Sequence, residues 1–147
     1  NSVYYIQPIM KNIIFKSIVY LYYLSLAVLL ILYLYPGSII GYFLYGDLER
    51  QPNLVSSLIG THINHFFYFS YLTSIGIIYS LTEKKFINSF LFLFVLSLFL
   101  ELLHFIIPNR AFELNDILAN SAGVISTFFL FKFIFFLFKI IKNKIIL

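Results

Sequence analysis

The stretch IIFKSIVYLYYLSLAVLLILYLY, residues 13–35, decides the class of this fold. It carries a single charge, Lys16, and roughly 20 apolar residues in helical form are enough to cross the core of a bilayer. Pro36 and Gly37 follow it directly, and both disfavour continuation of a helix. The stretch therefore predicts a membrane-spanning helix. A signal peptide is the competing interpretation, but the run is longer than a usual signal core and no small-residue cleavage site follows it.

The composition of the whole chain agrees with a membrane environment. Of its 147 residues, 61% are hydrophobic and 11% are charged, and the mean hydropathy is +0.95. A soluble domain is about 25% charged, and a chain this short has too little interior to hide so much apolar surface. A disordered chain would be polar and rich in charge. The composition excludes both classes and makes the lipid bilayer the expected partner.

Three further apolar stretches are long enough to span. We expect an all-α integral membrane bundle of four transmembrane helices that forms a single domain over residues 1–147. The predicted spans cover residues 13–35, 63–81, 86–107 and 117–141. Residues 38–45 are also apolar but too short to span, which predicts an interfacial or re-entrant segment.

The basic residues predict the orientation. Seven lysines fall on the side that the N-terminus, the 82–85 loop and the C-terminal tail share: Lys11, Lys16, Lys84, Lys85, Lys139, Lys142 and Lys144. The other side holds Arg50 and Arg110. Because positive loops stay in the cytoplasm, we expect a multi-pass protein with both termini inside. No basic patch alternates with polar sequence, so no nucleic-acid partner is predicted.

Ionisable residues near two span ends are costly in lipid and are therefore functional candidates. Glu101 and His104 share one face of the third span with Pro108 at helical spacing. Asp116 likewise shares one face of the fourth span with Asn120 and Gly123. A short loop joins these spans, so they are antiparallel neighbours and their polar faces should converge at the outer surface. His62 and His65, at the start of the second span, lie at the same predicted depth.

Arg110 has two interpretations. Its guanidinium could bind a phosphate or carboxylate group through two hydrogen bonds. Alternatively, it pairs with Glu101, Glu113 or Asp116 to hold the loop. The sequence leaves both open.

The remaining candidates have structural interpretations. Asp116 either caps the fourth helix and complements its dipole or belongs to the functional cluster. We expect Asn120 to hydrogen-bond between helices and Gly123 to be a close-packing point. Tyr33 and Tyr35 fit an interfacial aromatic belt. Histidine and carboxylate side chains of the region suit zinc, but no metal motif of fixed spacing is present. The sequence thus predicts neither a metal nor another cofactor.

The stretch ELLHFIIPNRAFELNDILANSAG, residues 101–123, resembles the signature of the VanZ-like family. In that signature a Glu has a Gln three residues on, followed by Pro-x-Arg and by Asp-x-x-x-Asn-x-x-Gly at the opening of the last helix. The agreeing positions are Glu101, Pro108, Arg110, Asp116, Asn120 and Gly123. His104 stands where Gln is usual, and His65 matches a family His at the start of the second span.

The resemblance implies a four-span protein of the bacterial cytoplasmic membrane. The family takes its name from a protein associated with resistance to the glycopeptide teicoplanin. We hypothesise a non-enzymatic envelope protein that handles a lipid-linked cell-wall precursor or a glycopeptide. The cluster that would do so is Glu101, His104, Arg110, Asp116, Asn120 and His65. The alternative is an intramembrane hydrolase or transferase that acts on a lipid phosphate, with His104 or His65 as acid-base.

Overall fold

A computed structural model of the chain describes residues 2–52, 62–83 and 86–145. These residues form five helices and, within the described ranges, no strand. The helices are α1 (Ser2–Leu34), α2 (Ile39–Tyr45), α3 (His62–Glu83), α4 (Phe86–Leu103) and α5 (Leu114–Ile145). The all-α prediction is confirmed, and α2 is the short apolar segment. Lys84 and Lys85, which contribute to the predicted orientation, lie outside the described residues.

Two helices are long and apolar enough to cross a membrane, by length and composition alone. They contain the stretches Ile13–Leu34 in α1 and Leu114–Lys144 in α5. The apolar stretch Ser89–Leu103 in α4 is shorter. The remaining long helix, α3, packs against α1, α4 and α5. Because three helices cover it, α3 hides much of its surface in protein and tolerates more polar residues than its neighbours.

The molecule carries polar residues inside and apolar residues outside. Among the residues whose side chains are described, ten buried residues are polar or charged and eleven are hydrophobic, whereas 38 large hydrophobic residues are exposed. A water-soluble protein buries few unpaired ionisable groups and rarely exposes apolar patches of this extent. The distribution fits a protein whose exterior is solvated by lipid.

The helix boundaries differ from the predicted spans: α1 begins at Ser2, eleven residues before the predicted 13, and two further differences lie beside the polar residues. α4 ends at Leu103, four residues before the predicted end at 107, because the Pro108 ring would clash with the carbonyl group four residues earlier in a continued helix. The chain tightens there into three-residue turns, such as His104 N–H to Glu101 C=O at 3.1 Å. α5 starts at Leu114, three residues before the predicted 117. Glu101 consequently lies in the last turn of α4, and Asp116 lies in the first turn of α5.

The segment after α1 folds back over the end of the bundle. Ser38 caps α2 by accepting the Gly41 N–H at 2.9 Å, and Gly46, at φ 72°, ends the helix. The Arg50 carbonyl lies so close to α2 that a Cβ on Gly41 would stand 1.7 Å from it. This close approach needs glycine, and it holds residues 47–52 against α2.

Candidate functional site

Seven polar side chains meet where α1 and α4 end and α3 and α5 begin. They are Tyr33, His62, His65, Glu101, His104, Asp116 and Asn120, and we call them the polar cluster. The cluster contains every candidate that the sequence nominated from the helices, together with Tyr33. It forms because the antiparallel helices bring the C-terminal ends of two elements beside the N-terminal ends of the other two.

Asp116 binds both histidines of α3. Its Oδ1 accepts a hydrogen bond from His62 Nδ1 at 2.6 Å, and its Oδ2 lies 3.6 Å from His65 Nε2. The other ring nitrogen of His62 lies 3.7 Å from the Glu113 carboxylate. Asp116 is only 3% exposed, and a carboxylate so deeply buried needs a partner to offset its lost hydration. His62 supplies that partner from a different helix.

Glu101 is fully buried and joins α4 to the start of α5. Its Oε1 accepts hydrogen bonds from His104 Nδ1 at 3.1 Å and from the backbone N–H of Glu113, the residue before α5, at 3.3 Å. A carboxylate at a helix N-terminus satisfies a free N–H group and complements the helix dipole. The sequence offered this capping role as one interpretation of Asp116. The structure gives it to Glu101, because Asp116 is turned toward the histidines.

Tyr33 links three helices through its hydroxyl group and its ring. The hydroxyl oxygen lies 2.6 Å from His65 Nδ1 and donates to Asn120 Oδ1 at 3.0 Å. The ring stacks on His104 with centroids 5.3 Å apart. The expectation that Tyr33 belongs to an interfacial belt is wrong, since its side chain is buried among these polar groups. Asn120, in contrast, makes the interhelical hydrogen bond expected of it.

Arg110 contacts the end of α1 instead of a carboxylate. Its guanidinium donates hydrogen bonds to the carbonyl oxygens of Leu32 and Tyr35. A chain reversal at Asn109, with φ 56°, follows Pro108 and precedes the arginine. Burial lowers the pKa of Arg110 below its usual range, yet an arginine stays charged in proteins. Arg110 thus holds the loop through carbonyl oxygens of α1, whereas one of the two interpretations named Glu101, Glu113 or Asp116 as its partner. Its charge caps a helix C-terminus.

Gly123 lies at the contact between α5 and α3. A Cβ at this position would stand 2.5 Å from the Phe66 carbonyl oxygen and 3.2 Å from the Ser70 nitrogen. Both atoms belong to the α3 backbone, so the helices approach each other where a side chain would not fit. This close approach brings Asp116 and Asn120 of α5 within reach of the α3 histidines.

A cavity of about 190 Å³ opens beside the polar cluster. Its lining includes the polar residues Tyr33, His65, His104 and Arg110. Apolar residues near the end of α1 and the start of α2 also line it, together with Gln51 and Pro52. The cavity thus combines a cationic or hydrogen-bonding surface with a hydrophobic one.

Comparison with known proteins agrees with the motif that builds this site. The family model described as VanZ/LLP1 matches residues 3–138, nearly the whole chain. The chain belongs to the VanZ family. Its apolar helices are consistent with a VanZ-like membrane protein. No curated protein and no solved structure matches the chain.

Two groups in this VanZ family chain have the donor atoms that a metal ion needs. His65, Glu101 and Asp116 form an inner group, and His62, Glu113 and Asp116 form an outer one. In each group one ligand atom per residue lies within 4.8 Å of the other two. Spacing along the sequence did not reveal either group, because its members come from two or three different helices.

Proposed function

We propose that the chain is a four-span protein of the bacterial cytoplasmic membrane with both termini inside. The lysine distribution supports this orientation, as does the apolar exterior of the four long helices. In this orientation the polar cluster and its cavity face the extracytoplasmic side. Substrates there would be envelope molecules.

The function that the site supports best is binding of the anionic head group of a lipid-linked envelope molecule. The cavity carries this proposal, because its lining combines Arg110 and His104 with apolar residues of α1 and α2. Cationic and N–H donor groups recognise phosphate oxygens, and the apolar lining suits the first part of a lipid chain. A volume of about 190 Å³ is smaller than usual drug-sized pockets. It suits a phosphate or one sugar, whereas a whole glycopeptide is too large.

Because the cavity is too small for teicoplanin, any effect of the protein on this antibiotic would be indirect. The protein would bind the lipid-linked precursor and change its exposure, so the antibiotic itself would stay outside the cavity. Protection against teicoplanin would then require the same side chains as lipid binding.

The test uses the full chain in lipid nanodiscs with two probes, a polyprenyl phosphate and the matching polyprenol. We expect the phosphate to bind and the polyprenol to bind at least about tenfold more weakly, because a charged hydrogen bond contributes about 1.5–3 kcal/mol. His104→Leu should lose this preference. His104→Gln, which restores the residue usual in the family, should keep it, and Glu49→Gln in the exposed loop is the neutral control. Equal binding of both probes would overturn the proposal.

One observation favours the enzymatic alternative. His104 Nδ1 donates to the Glu101 carboxylate, which orients the ring, and His104 also lines the cavity. A carboxylate-oriented imidazole can act as a general base toward water. Release of inorganic phosphate from a polyprenyl diphosphate by the same nanodiscs, lost in His104→Gln, would establish this function in place of simple binding.

A further inference from the structure

Three side chains of the polar cluster share an arrangement that head-group binding does not use. His65, Glu101 and Asp116 each have one atom fixed by a hydrogen bond from the protein. Each also has a second electron-rich atom that receives no proton from a neighbour. The three come from α3, α4 and α5, so no element assembles the group alone.

His65 shows this arrangement through its partner Tyr33. The Tyr33 hydroxyl gives its one proton to Asn120 Oδ1, so the 2.6 Å contact with His65 needs the proton of His65 Nδ1. In a neutral ring, Nε2 then keeps its lone pair. That nitrogen faces Asp116 Oδ2 at 3.6 Å. Two electron-rich atoms face each other, and a positive species between them would turn repulsion into attraction.

The carboxylates of Asp116 and Glu101 show the same arrangement, with one oxygen hydrogen-bonded and the other not. Asp116 Oδ1 takes the His62 hydrogen bond, which leaves Oδ2 for the His65 side. Glu101 Oε1 takes the hydrogen bonds of His104 and of the Glu113 backbone. Glu101 Oε2 has no hydrogen-bond partner among the described residues, and the side chain is 0% exposed. A buried carboxylate oxygen without a partner is costly.

We infer that His65, Glu101 and Asp116 bind one divalent cation of the zinc type. Imidazole and carboxylate ligands together suit Zn²⁺, and two carboxylates neutralise its charge. Ligands at 2.0–2.1 Å in a tetrahedral site are roughly 3.3 Å apart, close to the 3.6 Å between His65 Nε2 and Asp116 Oδ2. Tyr33, His62 and His104 then act as the outer hydrogen bonds that orient metal ligands. Three protein ligands leave one coordination position for water or a ligand oxygen. The inference stands independently of the lipid, since it concerns the ion alone.

The experiment uses tag-free full chain in nanodiscs, stripped with a chelator and then titrated with Zn²⁺. Bound zinc per chain is measured after removal of free metal. We expect one Zn²⁺ per wild-type chain and affinity more than about 100-fold weaker in Glu101→Gln and Asp116→Asn. Tyr33→Phe should weaken binding about 10–100-fold, the usual effect of losing an outer hydrogen bond. Glu113→Gln is the matched control, because it removes a carboxylate only from the outer group.

A second measurement identifies a ligand without relying on loss of binding. The chain has no cysteine, so His65→Cys introduces a single thiol. Co²⁺ added to this variant should give a thiolate-to-cobalt charge-transfer band that wild type lacks. The inference is overturned if wild type retains no zinc, if Glu101→Gln binds like wild type, or if Glu113→Gln alone abolishes binding. Absence of the charge-transfer band in a zinc-binding His65→Cys chain would also overturn it.

Discussion

At the scale of the residue, the hydroxyl of Tyr33 orders the centre of the site. It accepts the His65 N–H and donates to Asn120, and the ring lies flat on His104. One side chain of α1 thus fixes groups on α3, on α5 and on the turn that follows α4. Its removal would leave His65 Nδ1 without its partner and Asn120 Oδ1 without its donor. The orientation of His65 therefore depends on a residue that carries no charge.

Gly123 gives the sharpest prediction about a single residue. We expect Gly123→Ala to lower the free energy of unfolding by about 1–3 kcal/mol, the usual cost of overpacking. The added methyl group would stand 2.5 Å from a backbone oxygen of α3, which cannot move without shifting the helix. The measurement is thermal unfolding in detergent, followed by circular dichroism.

Gly76→Ala is the matched control for that prediction. Its added methyl group would meet only side-chain atoms, Tyr22 Cε2 at 3.0 Å and Leu93 Cδ1 at 3.1 Å. Those atoms can give way, and alanine is the better helix former by about 1 kcal/mol. We expect a clearly smaller loss than for Gly123→Ala. Equal stability of the two variants would show that the α3–α5 approach is not limiting.

Residue spacing explains what could be foreseen here. The polar candidates of α4 and α5 recur at three- and four-residue intervals, so their shared faces were predictable from the sequence. Tyr33 was missed because tyrosines at a span end are also common at membrane surfaces. One signal was available, since Tyr22, Ser25, Leu29 and Tyr33 lie on one face of α1 and all are buried. A serine on that face indicates a protein-facing side.

At the scale of the element, helix ends are capped by residues from other elements. Glu101 of α4 accepts the N–H before α5, and Arg110 donates to the last carbonyl groups of α1. Such capping couples the position of one helix to the end of another. It also means that the conformation of residues 104–113 affects the shape of the cavity, because His104 and Arg110 line it.

The Arg110 cap predicts a loss of stability. Arg110→Ala should lower the free energy of unfolding by about 1.5–3 kcal/mol, as expected for hydrogen bonds from a charged donor. Arg110→Lys should recover part of it, because the charge at the α1 C-terminus remains while the two-pronged geometry is lost. Thermal unfolding of both variants beside wild type measures this. Wild-type stability of Arg110→Ala would contradict the capping role.

At the scale of the whole molecule, polarity is inverted relative to a soluble protein. Large apolar side chains cover the outside of the long helices, while serines, threonines and the polar cluster lie inside. In lipid, apolar side chains gain no hydrophobic stabilisation when helices associate. Packing and interhelical hydrogen bonds must therefore hold the helices together. Contacts such as Ser25 with Tyr71 at 3.0 Å and Tyr68 with the Ser25 carbonyl at 2.9 Å contribute to this.

The topology has a direct test in this cysteine-free chain. Glu49→Cys follows α2, near the polar cluster, and Asn143→Cys lies near the far end of α5; both positions are exposed. The 31-residue stretch of α5 is about 46 Å long at 1.5 Å per residue, enough to cross a bilayer. We expect an impermeant maleimide to label Glu49→Cys in intact cells and Asn143→Cys only after permeabilisation. The reverse pattern would invert the orientation, and equal labelling would contradict the span.

The sequence by itself determined the membrane class, the positions of the four long helices and the family motif. Those properties depend on composition and on spacing within single helices, which a linear pattern records. Tertiary structure alone decided that Arg110 caps α1, that Glu101 rather than Asp116 serves the start of α5, and that Tyr33 joins the cluster. These contacts connect residues far apart in the chain, such as Tyr33 and Asn120. They form only when helix packing brings their faces together, so no local pattern specifies them.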